Sequence, residues 1–240
     1  MKLQLPTIII VCLSIVLILT IHFLGGKDTP TVLESNEESI DFRSIRMDAE
    51  NAYTAQEYGQ AIQLYEEALE LRPENAEICN DLGAVHYDLG LKNAGPDWPS
   101  WKDTNVDGSV KDALAELDVA IQNVESGYFR IITSSSEIAK TVEETAKQKG
   151  AAVFLYYGNT DTTLNILLGP TKDHLLEAYT YYLRAMELKS TYAAPYRNLG
   201  SFYMKIGIIN KAINYLEEAH KREPSDEELA EYLHQVKSGY

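Results

Sequence analysis

Basic residues are scarce in this chain of 240 residues, where 21 Lys and Arg stand against 36 Asp and Glu. Setting aside Lys2, which precedes the apolar run described below, leaves 20 basic residues and a net charge of −16. Such a surface repels phosphate backbones, so nucleic acid is not an expected partner. Cysteine is scarcer still, with two in all. Cys12 lies inside the apolar run, so Cys79 has no partner for an intrachain disulfide and reads as a buried, inert thiol. Motifs that carry catalysis are missing too. His22, His86, His174, His220 and His234 fall at no metal-ligand spacing, and there is no HExxH, GxSxG or phosphate-binding glycine loop. Ser134-Ser135-Ser136 reads as a helix cap rather than a nucleophile. We expect no enzyme activity and no cofactor.

Long apolar runs are also absent, with one exception. Residues 7–24 are apolar apart from Thr7, Ser14, Thr20 and His22. As a helix they would span roughly 27 Å, close to the hydrocarbon thickness of a bilayer. No Ala-x-Ala-like cleavage site follows, and Val11 precedes Cys12 where lipidation requires a small residue. Residues 1–26 therefore read as an uncleaved, single-pass signal anchor, a transmembrane helix. Lys2 favours a cytoplasmic start and an extracytoplasmic soluble domain, although Lys27 lies just past the run. Residues 27–41, with Asp28, Glu34, Glu37 and Glu38, form an acidic tether.

What the rest of the chain has is repetition. Residues 193–226 carry Tyr196, Leu199-Gly200, Tyr203, Ala212, Leu216, Ala219 and Pro224. Residues 42–75 carry Ala49, Ala52, Tyr58, Ala61, Tyr65, Ala68 and Pro73 with the same period. Small residues flanking a bulky one let paired helices approach, apolar residues three and four apart give each helix a buried stripe, and the prolines stop the second helices. One such pair cannot bury its own apolar face and needs stacked neighbours. The pattern resembles the tetratricopeptide repeat (TPR), a helix–turn–helix unit. The resemblance implies a mainly α solenoid of helical hairpins that holds a protein or peptide partner in a groove.

A further unit, residues 76–125, is interrupted. Its first helix carries Cys79, Leu82-Gly83, His86 and Gly90, and two segments compete to be its second. Ala113, Leu117 and Ala120-Ile121 fit, and so do Ala178, Tyr182 and Ala185-Met186 on a helix within 171–192. Residues 91–109 read as a polar loop with Trp98 and Trp101, an aromatic pair that either anchors the loop or offers a platform to a sugar or peptide. Residues 126–170 read as an inserted β-α-β-β subdomain, with strands at 128–133, 151–157 and 163–168 and a helix opened by a Ser134–Glu137 capping box. Its outline resembles the sporulation-related peptidoglycan-binding domain, but lacks that domain's last strand. Residues 227–240 read as a capping helix, opened at Ser225 with Glu228 as its box partner.

In TPR proteins the first helix of each pair lines the groove. By that resemblance the groove residues are Arg43, Arg46, Glu50 and Tyr53, then Glu77, Asn80, Ala84 and Tyr87, then Arg197, Asn198, Ser201 and Lys205. Four cations among them suggest an extended, acidic partner segment. Glu50 and Ala194 stand where relatives that clamp a C-terminal carboxylate have Asn and Lys, so that particular capture is not expected. Asp103, Asn105, Asp107 and Gly108 match the opening of a calcium loop, but Leu114 occupies the place of its closing acidic ligand, so a weak site or none is expected. The reading is a membrane-anchored scaffold that binds a protein through its groove. The alternatives are a peptidoglycan- or glycan-binding envelope module built on the insertion, and an accessory subunit of a larger membrane complex.

Overall fold

The protein is described by a computed structural model covering residues 40–95, 103–123 and 127–239. The expected anchor, almost all of the tether, Trp98 and Trp101 lie outside these residues. Among the described residues no helix is long and apolar enough to cross a membrane.

Helices α1 (Ile40–Thr54) and α2 (Tyr58–Leu71) form the first hairpin. Ala49 and Ala52 on α1 meet Ala61, Tyr65 and Ala68 on α2, all buried, and the small side chains allow the two backbones to close around the Tyr65 ring. Helix α3 (Ala76–Ala94) opens with Asn75, whose side chain accepts from the Ile78 N–H at 2.8 Å. Its buried residues lie on more than one side, including Ile78, Cys79, Leu82, Val85 and His86, because α3 packs against α2, α6 and α7. Burial pushes the Cys79 thiol upward, which keeps it protonated.

The partner of α3 is α6 (Gly169–Leu188), not α4 (Val110–Asn123). Gly83 lies against the Tyr182 ring and the Ala178 carbonyl, and Gly90 against Leu175. This choice between the two candidate helices places the whole insertion inside the turn of the middle hairpin. The third hairpin is α7 (Ala193–Lys205) with α8 (Ile209–Arg222), where Gly200 lies against Leu216. Helix α9 (Glu227–Ser238) closes the row, burying Leu229, Leu233 and Val236 in a cluster with Leu216 and Ala219. Its cap is Asp226 rather than Ser225, accepting from the Leu229 N–H at 2.9 Å.

The insertion contains one strand more than the pattern suggests. Strands β1 (Asp103–Asn105), β2 (Gly127–Thr133), β3 (Ala152–Tyr157) and β4 (Thr162–Leu168) form a sheet in the order β1-β2-β4-β3, with β1 parallel to β2 and the other pairs antiparallel. One face carries Phe129, Ile131, Leu164 and Ile166 against α4 and α5 (Ser136–Gln148). The other, with Leu167, Phe154 and Tyr156, joins Leu175, Phe202, Ile206 and Ile208 of the hairpins. Burial on both faces explains why β4 reads as a nearly continuous apolar run. Ser135, not Ser134, caps α5, accepting from the Ile138 N–H at 3.3 Å. Buried Asn165 secures the junction: its amide donates to the Phe154 carbonyl at 3.0 Å, and its oxygen accepts from the Tyr128 hydroxyl.

Candidate functional site

Helices α1, α3, α7 and α9 are linked in that order by polar side chains, which mark out one continuous surface. Between α1 and α3, Arg46 reaches Glu50 at 3.0 Å, Glu77 at 3.3 Å and Asp81 at 4.0 Å. Lys189, just past α6, reaches Glu77 at 3.3 Å from the other side. Burial pushes the Asp81 carboxyl up, opposed by the Asn80 amide and the Arg46 charge. The Tyr53 hydroxyl donates to Asp88 at 2.6 Å. Arg46, Glu50, Tyr53, Thr54, Tyr65, Asp81 and Ala84 line an open cleft of about 400 Å³.

The α3–α7 link is an amide pair. Asn198 donates to Asn80 at 2.9 Å, and Asn80 lies 3.4 Å from Asp81. At the far end, Arg197 pairs with Asp226 at 3.1 Å and Glu228 at 3.2 Å. A second cleft, about 440 Å³, is lined by Arg197, Ser201, Glu228, Glu231, Tyr232 and Gln235.

Most of the residues singled out from the sequence meet on this surface, in a different electrostatic state from the one expected. Arg46 and Arg197 are held by this chain's own carboxylates, and Glu77, Asp81, Asp88, Glu228 and Glu231 make the surface rich in acid. Arg43 is exposed on α1, and Lys205 is half-buried at the end of α7. Tyr87 turns toward Phe202, with ring centroids 6.5 Å apart, and contributes to packing beneath the surface. The sequence reading missed Asp81 and Asp88, which follow Glu77 at one and three helical turns, because the inward stripe was centred one residue away. It also missed the wall provided by α9, which it treated only as a cap.

The residues of the calcium-like motif fall on a strand and the bend after it. Asp103 and Asn105 bound strand β1, and the Asp107 carboxylate accepts from the N–H and hydroxyl of Ser134 at 2.8 and 2.9 Å. Among the described residues no group of three or more His, Cys, Asp or Glu could hold a metal ion.

Comparison with known proteins fits the geometry of the hairpins. Residues 51–90 match the family described as TPR repeat, and residues 193–226 match the one described as Tetratricopeptide repeat. These matches support TPR repeats over residues 51–90, from the end of α1 through most of α3, and over residues 193–226, in the last hairpin. No curated protein matches it. Among solved structures it is similar to the first TPR of Spaghetti (RPAP3) bound to the HSP90 peptide SRMEEVD, at 10% identity over 84% of this chain and 94% of that one, with a TM-score of 0.44. It is also similar to MamA, at 18% identity over 83% and 82% with a TM-score of 0.27. For MamA from Desulfovibrio magneticus RS-1 the values are 12%, 84%, 86% and 0.27. These likenesses are too loose to carry a partner across.

Proposed function

We propose that this protein is a scaffold whose surface of first helices, α1, α3 and α7, extended by α9, receives an extended segment of a partner protein. TPR repeats imply protein binding, and the observation that carries this reading is the pair of open clefts along that surface, at α1–α3 and α7–α9. An acidic segment was expected because four cations face inward. With Arg46 and Arg197 already paired, such a segment would have to displace Glu50, Glu77, Asp226 or Glu228 from them. We propose instead that the segment presents basic side chains to Glu228, Glu231 and Asp88, whose carboxylates accept from Arg197, Gln235 and Tyr53 and have further lone pairs for charge-assisted hydrogen bonds to the segment. Residues 1–26 would tether this scaffold to a membrane with the soluble part outside the cytoplasm, a proposal that rests on the apolar run at 7–24.

The test is the variant Glu228→Lys/Glu231→Lys, both exposed residues, in full-length protein purified from detergent with its bound partner. Loss of the partner with the helical signal intact supports the reading. Tighter capture would identify an acidic segment, and unchanged capture would move the interface elsewhere.

A further inference from the structure

The free edge of the inserted sheet has the properties of a self-pairing interface. Strand β3 is terminal in the order β1-β2-β4-β3. The Gly158 N–H donates to the Asp161 carbonyl at 2.7 Å and closes the β3–β4 hairpin. In an antiparallel ladder, bonded and non-bonded residue pairs alternate. Counting back through the register, Tyr156–Thr163, Phe154–Asn165 and Ala152–Leu167 are the bonded pairs. The N–H and C=O groups of Val153, Leu155 and Tyr157 therefore point away from β4. Among the described residues, no hydrogen bond from another element reaches them.

Protein sheets usually guard such an edge with charge, proline, a bulge or a covering element. Residues 150–160 contain neither a charge nor a proline, and the pairing register of β3 runs without a bulge. Val153 and Leu155 pack against the core under α4 and α5, Phe154 and Tyr156 against the hairpins, and Tyr157 is 71% exposed. The strand is thus held rigidly on both faces and open along its edge.

We propose that β3 pairs antiparallel with β3 of a second copy of this chain, about a two-fold axis beside Leu155. The outward residues 153, 155 and 157 are evenly spaced, so Val153 meets Tyr157 of the copy and Leu155 meets Leu155, each pair exchanging two backbone hydrogen bonds. The flanking charges select this occupant. Lys149, which also reaches Asp118 at 3.1 Å, precedes the strand, and Asp161 stands in the turn that follows it, both exposed, so self-pairing in this register brings each Lys149 toward the Asp161 turn of the copy at both ends. A strand flanked by two charges of the same sign would meet repulsion there.

The test is sedimentation velocity of the full-length chain in detergent across roughly 1–100 µM. Wild type is expected to dimerise. Tyr157→Pro should raise the dimer dissociation constant at least about tenfold with the far-UV spectrum unchanged, since its N–H bonds nothing in the monomer and edge proline is tolerated. Asp161→Lys should weaken the dimer in the same direction, and it decides the matter alone if Tyr157→Pro fails to fold. A wild type that stays monomeric throughout, or a dimer that folded variants leave unchanged, overturns the proposal.

Discussion

Gly83→Ala is predicted to destabilise the protein although alanine is the better helix former. An added Cβ would meet Cε1 of Tyr182 at 2.7 Å and Cδ1 at 2.8 Å. The Tyr182 side chain is almost fully buried, so its ring has no room to retreat. Overpacking of this kind costs about 1–3 kcal/mol. Removing glycine from a helix interior returns up to about 1 kcal/mol. The net loss should be about 1–2 kcal/mol. Gly59→Ala on α2 is the control, because nothing lies within 4 Å of its added carbon and only the gain applies. Urea denaturation of both variants, followed by far-UV circular dichroism, should move the midpoints in opposite directions with similar slopes. Equal stability of the two variants would refute the close α3–α6 crossing. It would also reopen α4 as the second helix of the middle hairpin.

Two further outcomes follow from single contacts. His86 and His174 share an Nδ1···Nδ1 contact of 3.0 Å, and burial, with a smaller contribution from His174, lowers the His86 pKa to about 4. In the unfolded chain His86 would titrate near 6.5, so the unfolded state binds more protons between these values. Stability should therefore be full above about pH 6.5 and fall toward pH 4, by on the order of 3 kcal/mol. His86→Gln should flatten that part of the urea-midpoint profile, and an unaltered profile would sink the assignment. Asp226→Ala removes both the α9 cap and one Arg197 contact. It should cost about 1 kcal/mol, with faster amide exchange in the first turn of α9, whereas unchanged exchange there would deny the cap.

The hairpins were legible because their signal is local. Ala61, Tyr65 and Ala68, and likewise Ala212, Leu216 and Ala219, announce a close helix crossing through size and spacing alone, and all of them are buried. The middle hairpin was only half legible, since Ala113–Leu117 and Ala178–Tyr182 satisfy the same spacing. Gly83 and Gly90 meet the second of these across some ninety residues of chain, a packing choice that no local window contains. Strand β1 was hidden for a similar reason. Asp103-Thr104-Asn105 has loop composition and becomes a strand only through its parallel pairing with Arg130, Ile131 and Ile132. The cap positions missed by one residue, since Ser134 is engaged by Asp107 and leaves the capping role to Ser135. On the candidate site, the sequence identified the right helices but not their charge state. The ion pairs of Arg46 with Glu77 and Asp81, and of Arg197 with Asp226 and Glu228, join neighbouring helices and exist only in the fold.

The most direct measurement is the affinity of the co-purified partner for wild type and for Glu228→Lys/Glu231→Lys, titrated against salt. A basic segment lying on the α1–α3–α7–α9 surface predicts weaker binding by the variant and a shallower salt dependence. Two exposed charge contacts of up to about 1 kcal/mol each would account for a loss of roughly tenfold. Equal affinities with identical salt slopes would contradict binding at this surface.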